Sequence, residues 1–229
     1  MVGTTDQVRA VVAGEQGILR SAKPGHRIAC MSTIAHQAVL DLHAACAAAG
    51  ASFIDAPVSG GGERAGNGTL AIFTGGSEKD RAAWADAFAA MGTSVFPMGA
   101  IGQGMAIKLI NNMLVQINTA AIGEAMSLGA RAGLDAQAMY EAIKASTGYS
   151  VAFEMRVPRI VRRDFVPGGP MELSYKDGEL AIALAKELGA PLLLAPLAQQ
   201  VYQVGRNLGL AGEDAAATVK IYEKLGGGG

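Results

Sequence analysis

Lys108 opens a long apolar run, within Gly99-Ala-Ile-Gly102-Gln-Gly104-Met-Ala-Ile-Lys108-Leu-Ile-Asn111-Asn112. Burial disfavours the charged form of an ammonium and lowers its pKa, which equips a lysine to trade protons near neutral pH. Asn112 follows at i+4, so on a helix the two polar groups share one face and can converge on one small ligand. The chemistry such a pair offers is proton transfer beside a hydrogen-bonding orienter. The same residues read as readily as a lysine that snorkels to solvent beside an asparagine on a wet stripe.

A second candidate is the stretch Pro57-Val-Ser59-Gly60-Gly61-Gly62-Glu-Arg-Ala-Gly66-Asn-Gly68-Thr69, directly after the strand-like residues 52–56. Glycines at the carboxyl end of a strand let backbone N–H groups approach an anion, and Ser59 adds a hydroxyl. This composition suits a carboxylate better than a pyrophosphate, because no helix start of G-x-G-x-x-G type is expected to follow. A surface loop whose glycines only serve turns is the competing reading. Gly102-Gln-Gly104 with Glu124 imitates a dinucleotide fingerprint, but Ile107 occupies the third glycine position and Glu124 falls on the same predicted helix. No complete G-x-G-x-x-G occurs in the sequence.

The elements that must position these residues come in two rhythms. Helical patterns over 7–20, 32–49 and 77–91 alternate with strand-like runs at 27–31, 52–56, 70–74 and 93–97, with Ser32-Thr33 placed to cap the second helix. Alternation of this kind predicts a largely parallel, doubly covered sheet. After Gly99 the strand patterns stop. Residues 101–132 form one helical pattern, and further ones follow at 135–146, 151–162, 171–188, 192–208 and 213–225, punctuated by glycine and proline. The expected fold is α/β followed by all-α: a partial Rossmann-like parallel sheet in residues 1–98, then a helical catalytic and dimerisation domain in 99–229 built on one long helix. Gly226–Gly229 reads as a flexible end.

Half of the 229 residues are apolar and the formal net charge is −1, so a packed core is readily supplied. Near-neutral charge without a Lys/Arg run argues against nucleic acid or an anionic membrane as the main partner. Cys30 and Cys46 lack metal or redox spacing and read as small buried hydrophobes in a reducing, cytoplasmic setting. His26, His36 and His43 lack ligand spacing, and no metal site is expected. Trp84 and the methionines 105, 113 and 126 read as packing, and Arg156, Arg159, Arg162 and Arg163 as a solvated helix face.

Asp55-Ala-Pro-Val-Ser-Gly-Gly61, Gly102-Gln-Gly-Met-Ala-Ile-Lys108-Leu-Ile-Asn-Asn112, Lys176-Asp177 and Met31-Ser-Thr-Ile34 together resemble the β-hydroxyacid dehydrogenases, the 3-hydroxyisobutyrate dehydrogenases and tartronate semialdehyde reductases among them. The resemblance covers nearly the whole chain. It implies an NAD- or NADP-dependent oxidoreductase acting on a small carboxylate-bearing 3-hydroxy acid or its semialdehyde. Lys108 would be the general acid/base, Asn112 a substrate ligand, Ser59, Gly60 and Gly61 the carboxylate seat, and Thr33 and Lys176 cofactor contacts. It further implies a homodimer or homotetramer. The family's opening strand, G-x-G-x-x-G turn, helix and second strand have no counterpart here, and Met1-Val-Gly3 aligns with an internal loop. The expectation is therefore a chain lacking the first part of the dinucleotide domain, with a non-catalytic substrate-binding or dimerising remnant as the alternative function. Imine-reducing relatives are a further rival, against which Lys108 argues.

Overall fold

The computed structural model describes residues 1–227; Gly228 and Gly229, the end of the expected glycine tail, lie outside the described residues. The chain forms two compact units, residues 1–111 and Asn112 onward.

In the first unit, α1 (Thr5–Ala13) starts in a capping box, Thr4 accepting from the Gln7 amide while the Gln7 side chain answers the Thr4 amide. It ends at Gly14, and a 3-10 turn at Ile18–Ser21 replaces the rest of the expected helix. The remaining elements are β1 (Arg27–Cys30), α2 (His36–Ala48), β2 (Ser52–Asp55), β3 (Val58–Ser59), α3 (Gly61–Gly66), β4 (Leu70–Gly75), α4 (Glu78–Ala82), α5 (Ala85–Met91) and β5 (Gly92–Gly99). The expected parallel pairing is present, within a mixed sheet. β1 pairs β2 and β4 pairs β5 in parallel, whereas β4 runs antiparallel to both β2 and β3. The chain from Asp55 to Leu70 is the reason: it spends its residues on β3 and α3 and leaves no helical crossover of the kind a parallel partner requires. Ile54, Leu70, Ile72 and Phe88 form the core here, with Trp84 packed against them.

The two expected caps on α2 do not form. The helix begins at His36 behind Ala35 with no side-chain cap, because the Ser32 hydroxyl accepts instead from the Val2 amide at 2.8 Å. The Thr5 hydroxyl accepts from the N–H of the N-cap residue Ala35 at 3.0 Å, which ties the helix entry to α1 but caps none of the helix's own first-turn amides.

Helix α6 (Gln103–Arg131) starts in the first unit and continues into the second. The second unit adds α7 (Ala136–Lys144), α8 (Val151–Arg162), α9 (Met171–Leu188), α10 (Leu194–Asn207) and α11 (Thr218–Leu225), with no strand among its described residues beyond a single bridge between Pro170 and Asp214. Its core has two parts, one around Tyr202, Met171 and Ile221 and one around Phe153, Val157 and Met126. No helix of the described residues is long and apolar enough to cross a membrane.

Candidate active site

In the first unit the site grows from the end of β2. Asp55 is fully buried, paired to Cys30 of β1 and to Gly75 of β4. Its Oδ1 accepts from the Gly102 amide at 2.8 Å and its Oδ2 from the Met105 amide at 2.6 Å, so it caps α6. Burial pushes its carboxyl above the usual range, the two amides pulling the other way. Both approaches require glycine: a Cβ on Gly75 would lie 2.4 Å from Oδ1, and one on Gly104 would lie 2.9 Å from Oδ2 and 2.5 Å from the Phe73 carbonyl.

Four residues past Asp55, Ser59 is pinned to the sheet by pairing with Ala71. Gly60 and Gly61 then take φ of 137° and 68°, a left-handed pair that only glycine adopts without strain. Contrary to the expectation of an unbroken loop, a short helix follows at once, because Glu63, Arg64 and Ala65 are good helix formers with the acidic residue in the first turn. Thr33 lies half-buried in the turn after β1, and β1 and β2 run parallel in register, so that turn and the Ser59 loop leave the same end of the sheet. Lys108 lies in the second turn of α6 and is 9% exposed as a residue.

In the second unit Asn112, one turn beyond Lys108 on α6, donates its Nδ2 to Asp177 Oδ2 at 2.6 Å. A carboxylate can only accept, so this contact fixes the orientation of the Asn112 amide. Lys176 Nζ lies 3.0 Å from the other oxygen of Asp177, whose side chain is 8% exposed. Gln116, a further turn along α6 and buried, donates to Gln199 at 2.6 Å. The apolar helix thus carries a line of polar side chains at i+4 spacing, Lys108, Asn112 and Gln116.

The expected solvated arginine face is corrected at two positions. Arg156 is buried, its guanidinium 3.0 Å from Asp214, and Arg159 is half-buried beside the same carboxylate at 3.6 Å. Asp214 also accepts from the Gly168 and Gly169 amides at 3.1 and 3.0 Å, which holds the loop leading into α9 and hence the helix that carries Lys176 and Asp177. The sequence reading assigned no task to Asp55, Asp177 or Asp214. The absence of any Ser, Thr, Asp or Asn in residues 99–102 was the available sign that α6 takes its cap from elsewhere.

Residues 1–102 match the family profile described as the NAD binding domain of 6-phosphogluconate dehydrogenase, and residues 102–222 that described as NAD-binding of NADP-dependent 3-hydroxyisobutyrate dehydrogenase. The chain is 36% identical to 2-(hydroxymethyl)glutarate dehydrogenase of Eubacterium barkeri, over 96% of this chain and 73% of that protein. It is 34% identical to L-threonate dehydrogenase of Cupriavidus necator, over 97% of this chain and 75% of the relative. Among solved structures, 3-hydroxyisobutyrate dehydrogenase from Salmonella typhimurium superposes with a TM-score of 0.88 at 32% identity, covering 96% of this chain and 77% of that one. These matches make the chain a dehydrogenase with NAD or NADP as its cofactor. It belongs to the β-hydroxyacid dehydrogenase family.

Proposed function

We propose that this enzyme interconverts a small 3-hydroxy acid and its semialdehyde or oxo form, with Lys108 as general acid/base. The observation that carries the reading is Lys108 itself, 9% exposed on a helix whose start is tied to the strand that leads to Ser59. Ser59, Gly60 and Gly61 hold the substrate carboxylate: a hydroxyl on a pinned strand end followed by two left-handed glycines supplies donors without bulk. Asn112 orients the substrate beside the lysine, its amide fixed by Asp177.

The residues present fit the nicotinamide end of a dinucleotide. The turn at Thr33 leaves the carboxyl end of a parallel pair, where sheets of this kind seat such ligands. Thr33 and Lys176 are assigned to the cofactor on this reading. When bound, the nicotinamide supplies the hydride acceptor for oxidation and the donor for reduction. Lys108 accepts the hydroxyl proton as the alcohol becomes a carbonyl, and returns it to the carbonyl oxygen in the reverse direction. Residues 1–98 serve as the dinucleotide-binding part and 99–229 as the catalytic and dimerisation part. A homodimer or homotetramer is supported by the exposed leucines of the second unit, Leu193, Leu194 and Leu197 at 85%, 64% and 65% exposure. The free, buried Cys30 and Cys46 fit a reducing cytoplasm.

The test is Lys108→Ala, assayed with 3-hydroxy acids and NAD or NADP. Turnover should fall by about 10²–10⁴-fold while NADH or NADPH affinity, followed by fluorescence, stays near that of the parent. Unchanged turnover would remove Lys108 from the mechanism.

A further inference from the structure

We propose that Asp55 is a positioning residue of the reaction, setting Lys108 against the Ser59 seat through the start of α6. This rests on the roles just given to Lys108 and Ser59. Residues 99–102 are Gly-Ala-Ile-Gly and hold no side-chain acceptor, so α6 cannot cap itself locally. Gln103 does not substitute, since its Oε1 accepts from Ala100, outside the helix. The cap comes instead from 47 and 50 residues away, one oxygen of Asp55 on Gly102 and the other on Met105.

The carboxylate has little freedom to be anywhere else. Its backbone is paired on both sides, to Cys30 and Gly75, and its side chain is fully buried. Gly75 and Gly104 are closed around it so tightly that a Cβ on either would overlap its oxygens. On one side only Ala56, Pro57 and Val58 separate it from Ser59, and Pro57 is buried with its φ restricted by the ring. On the other, Met105 stands three residues before Lys108, so a fixed amide at 105 fixes the axial place of the lysine, at about 1.5 Å of rise per residue. One side chain therefore sets the relative place of the proton-transfer group and the carboxylate seat. A cap whose only task was stability would be met by a local Ser or Asp at the surface, without an ionisable group in the core.

Asp55→Asn keeps the shape and one acceptor but turns an N–H₂ toward one of the two amides. It should fold, as judged by a single thermal transition, and lower kcat/KM for 3-hydroxyisobutyrate by about 10- to 100-fold. In the Lys108→Ala background it should add nothing, because the residue it positions is gone; a loss that multiplies with Lys108→Ala would overturn the proposal. A readout independent of turnover is the Lys108 signal in protein whose lysines carry ¹³C-methyl groups, assigned by its loss in Lys108→Arg. That signal should move in folded Asp55→Asn, and an unmoved signal would overturn the proposal even if the enzyme slowed. Should Asp55→Asn fail to fold, couplings across the hydrogen bonds from the Asp55 carboxyl carbon to the Gly102 and Met105 nitrogens decide the matter in the parent protein, their absence counting against it. If Lys108→Ala leaves turnover intact, the assignment of Lys108 fails on its own, whatever the lysine signal shows.

Discussion

Asp214 meets the Arg156 guanidinium at 3.0 Å with both side chains withdrawn from water, 1% and 10% exposed. The pair is not symmetric in its other partners. Asp214 also takes the amides of Gly168, Gly169 and Ala216 at 3.1, 3.0 and 2.9 Å, whereas the Arg156 Nε finds no hydrogen-bond partner among the described residues. Removing the carboxylate strands a buried cation and frees the loop before α9 together. Asp214→Ala should therefore destabilise by about 3–5 kcal/mol, and Arg156→Met by clearly less, since three amides and Arg159 still face the carboxylate. Urea unfolding of the two variants checks the order; equal losses would mean that the arginine, not the loop amides, sets the cost.

Ser59 offers a cleaner functional test than the lysine, because its backbone place is fixed by β-pairing rather than by its hydroxyl. Ser59→Ala should raise KM for the hydroxy acid by about tenfold, the worth of one hydrogen bond to a charged group, and lower kcat less. A defect confined to cofactor affinity would reassign the loop.

Acid sensitivity should depend on an exposed contact of the helical unit. The Tyr149 hydroxyl donates to Glu154, and that bond holds the glutamate below its usual value, with Lys144 at 3.6 Å adding to the effect. A carboxyl lowered on folding contributes stability that is present above its unfolded pKa and is lost as pH falls through the folded one. The wild type should lose this contribution from about pH 4.5 downward, and Tyr149→Phe, with Glu154 nearer its unfolded value, should show a shallower acid limb. Unfolding midpoints at two ionic strengths provide the check, since salt screens an exposed contact. Identical acid limbs would show that Glu154 is not held by Tyr149 in solution.

These relationships differ in how far the sequence discloses them. α8 and α9 run over Val151–Arg162 and Met171–Leu188, the ranges read from apolar periodicity and glycine stops, because both signals are local. The long helix was legible for the same reason, and with it the neighbourhood of Lys108 and Asn112 on one face. The helix expected over 77–91 instead breaks at Ala83 and Trp84, where Trp84 packs against the core of Ile54, Leu70 and Ile72; tertiary packing overrides local propensity there. The parallel pairs were legible, but the antiparallel course of β4 against β2 and β3 was not, because it follows from a short connection between distant segments rather than from any strand's own pattern. The carboxylates at 55, 177 and 214 were visible as letters, but their partners sit on other elements, so periodicity could not assign them work.

The glycines around Asp55 separate steric need from mere flexibility. A Cβ on Gly104 would meet the backbone of β4 twice, the Phe73 carbonyl at 2.5 Å and the Gly75 nitrogen at 2.9 Å, and neither can yield without moving the strand. Gly62, in α3, has nothing within 4 Å of its virtual Cβ and no left-handed φ. Gly104→Ala should therefore cost about 1–3 kcal/mol or more through forced backbone shifts. Gly62→Ala should gain about 0.5–1 kcal/mol by restricting the unfolded chain and favouring the helix. Thermal unfolding of the two variants beside the parent distinguishes them: opposite signs are expected, and a harmless Gly104→Ala would mean that α6 does not pack against β4 as closely as the 2.5 Å approach requires.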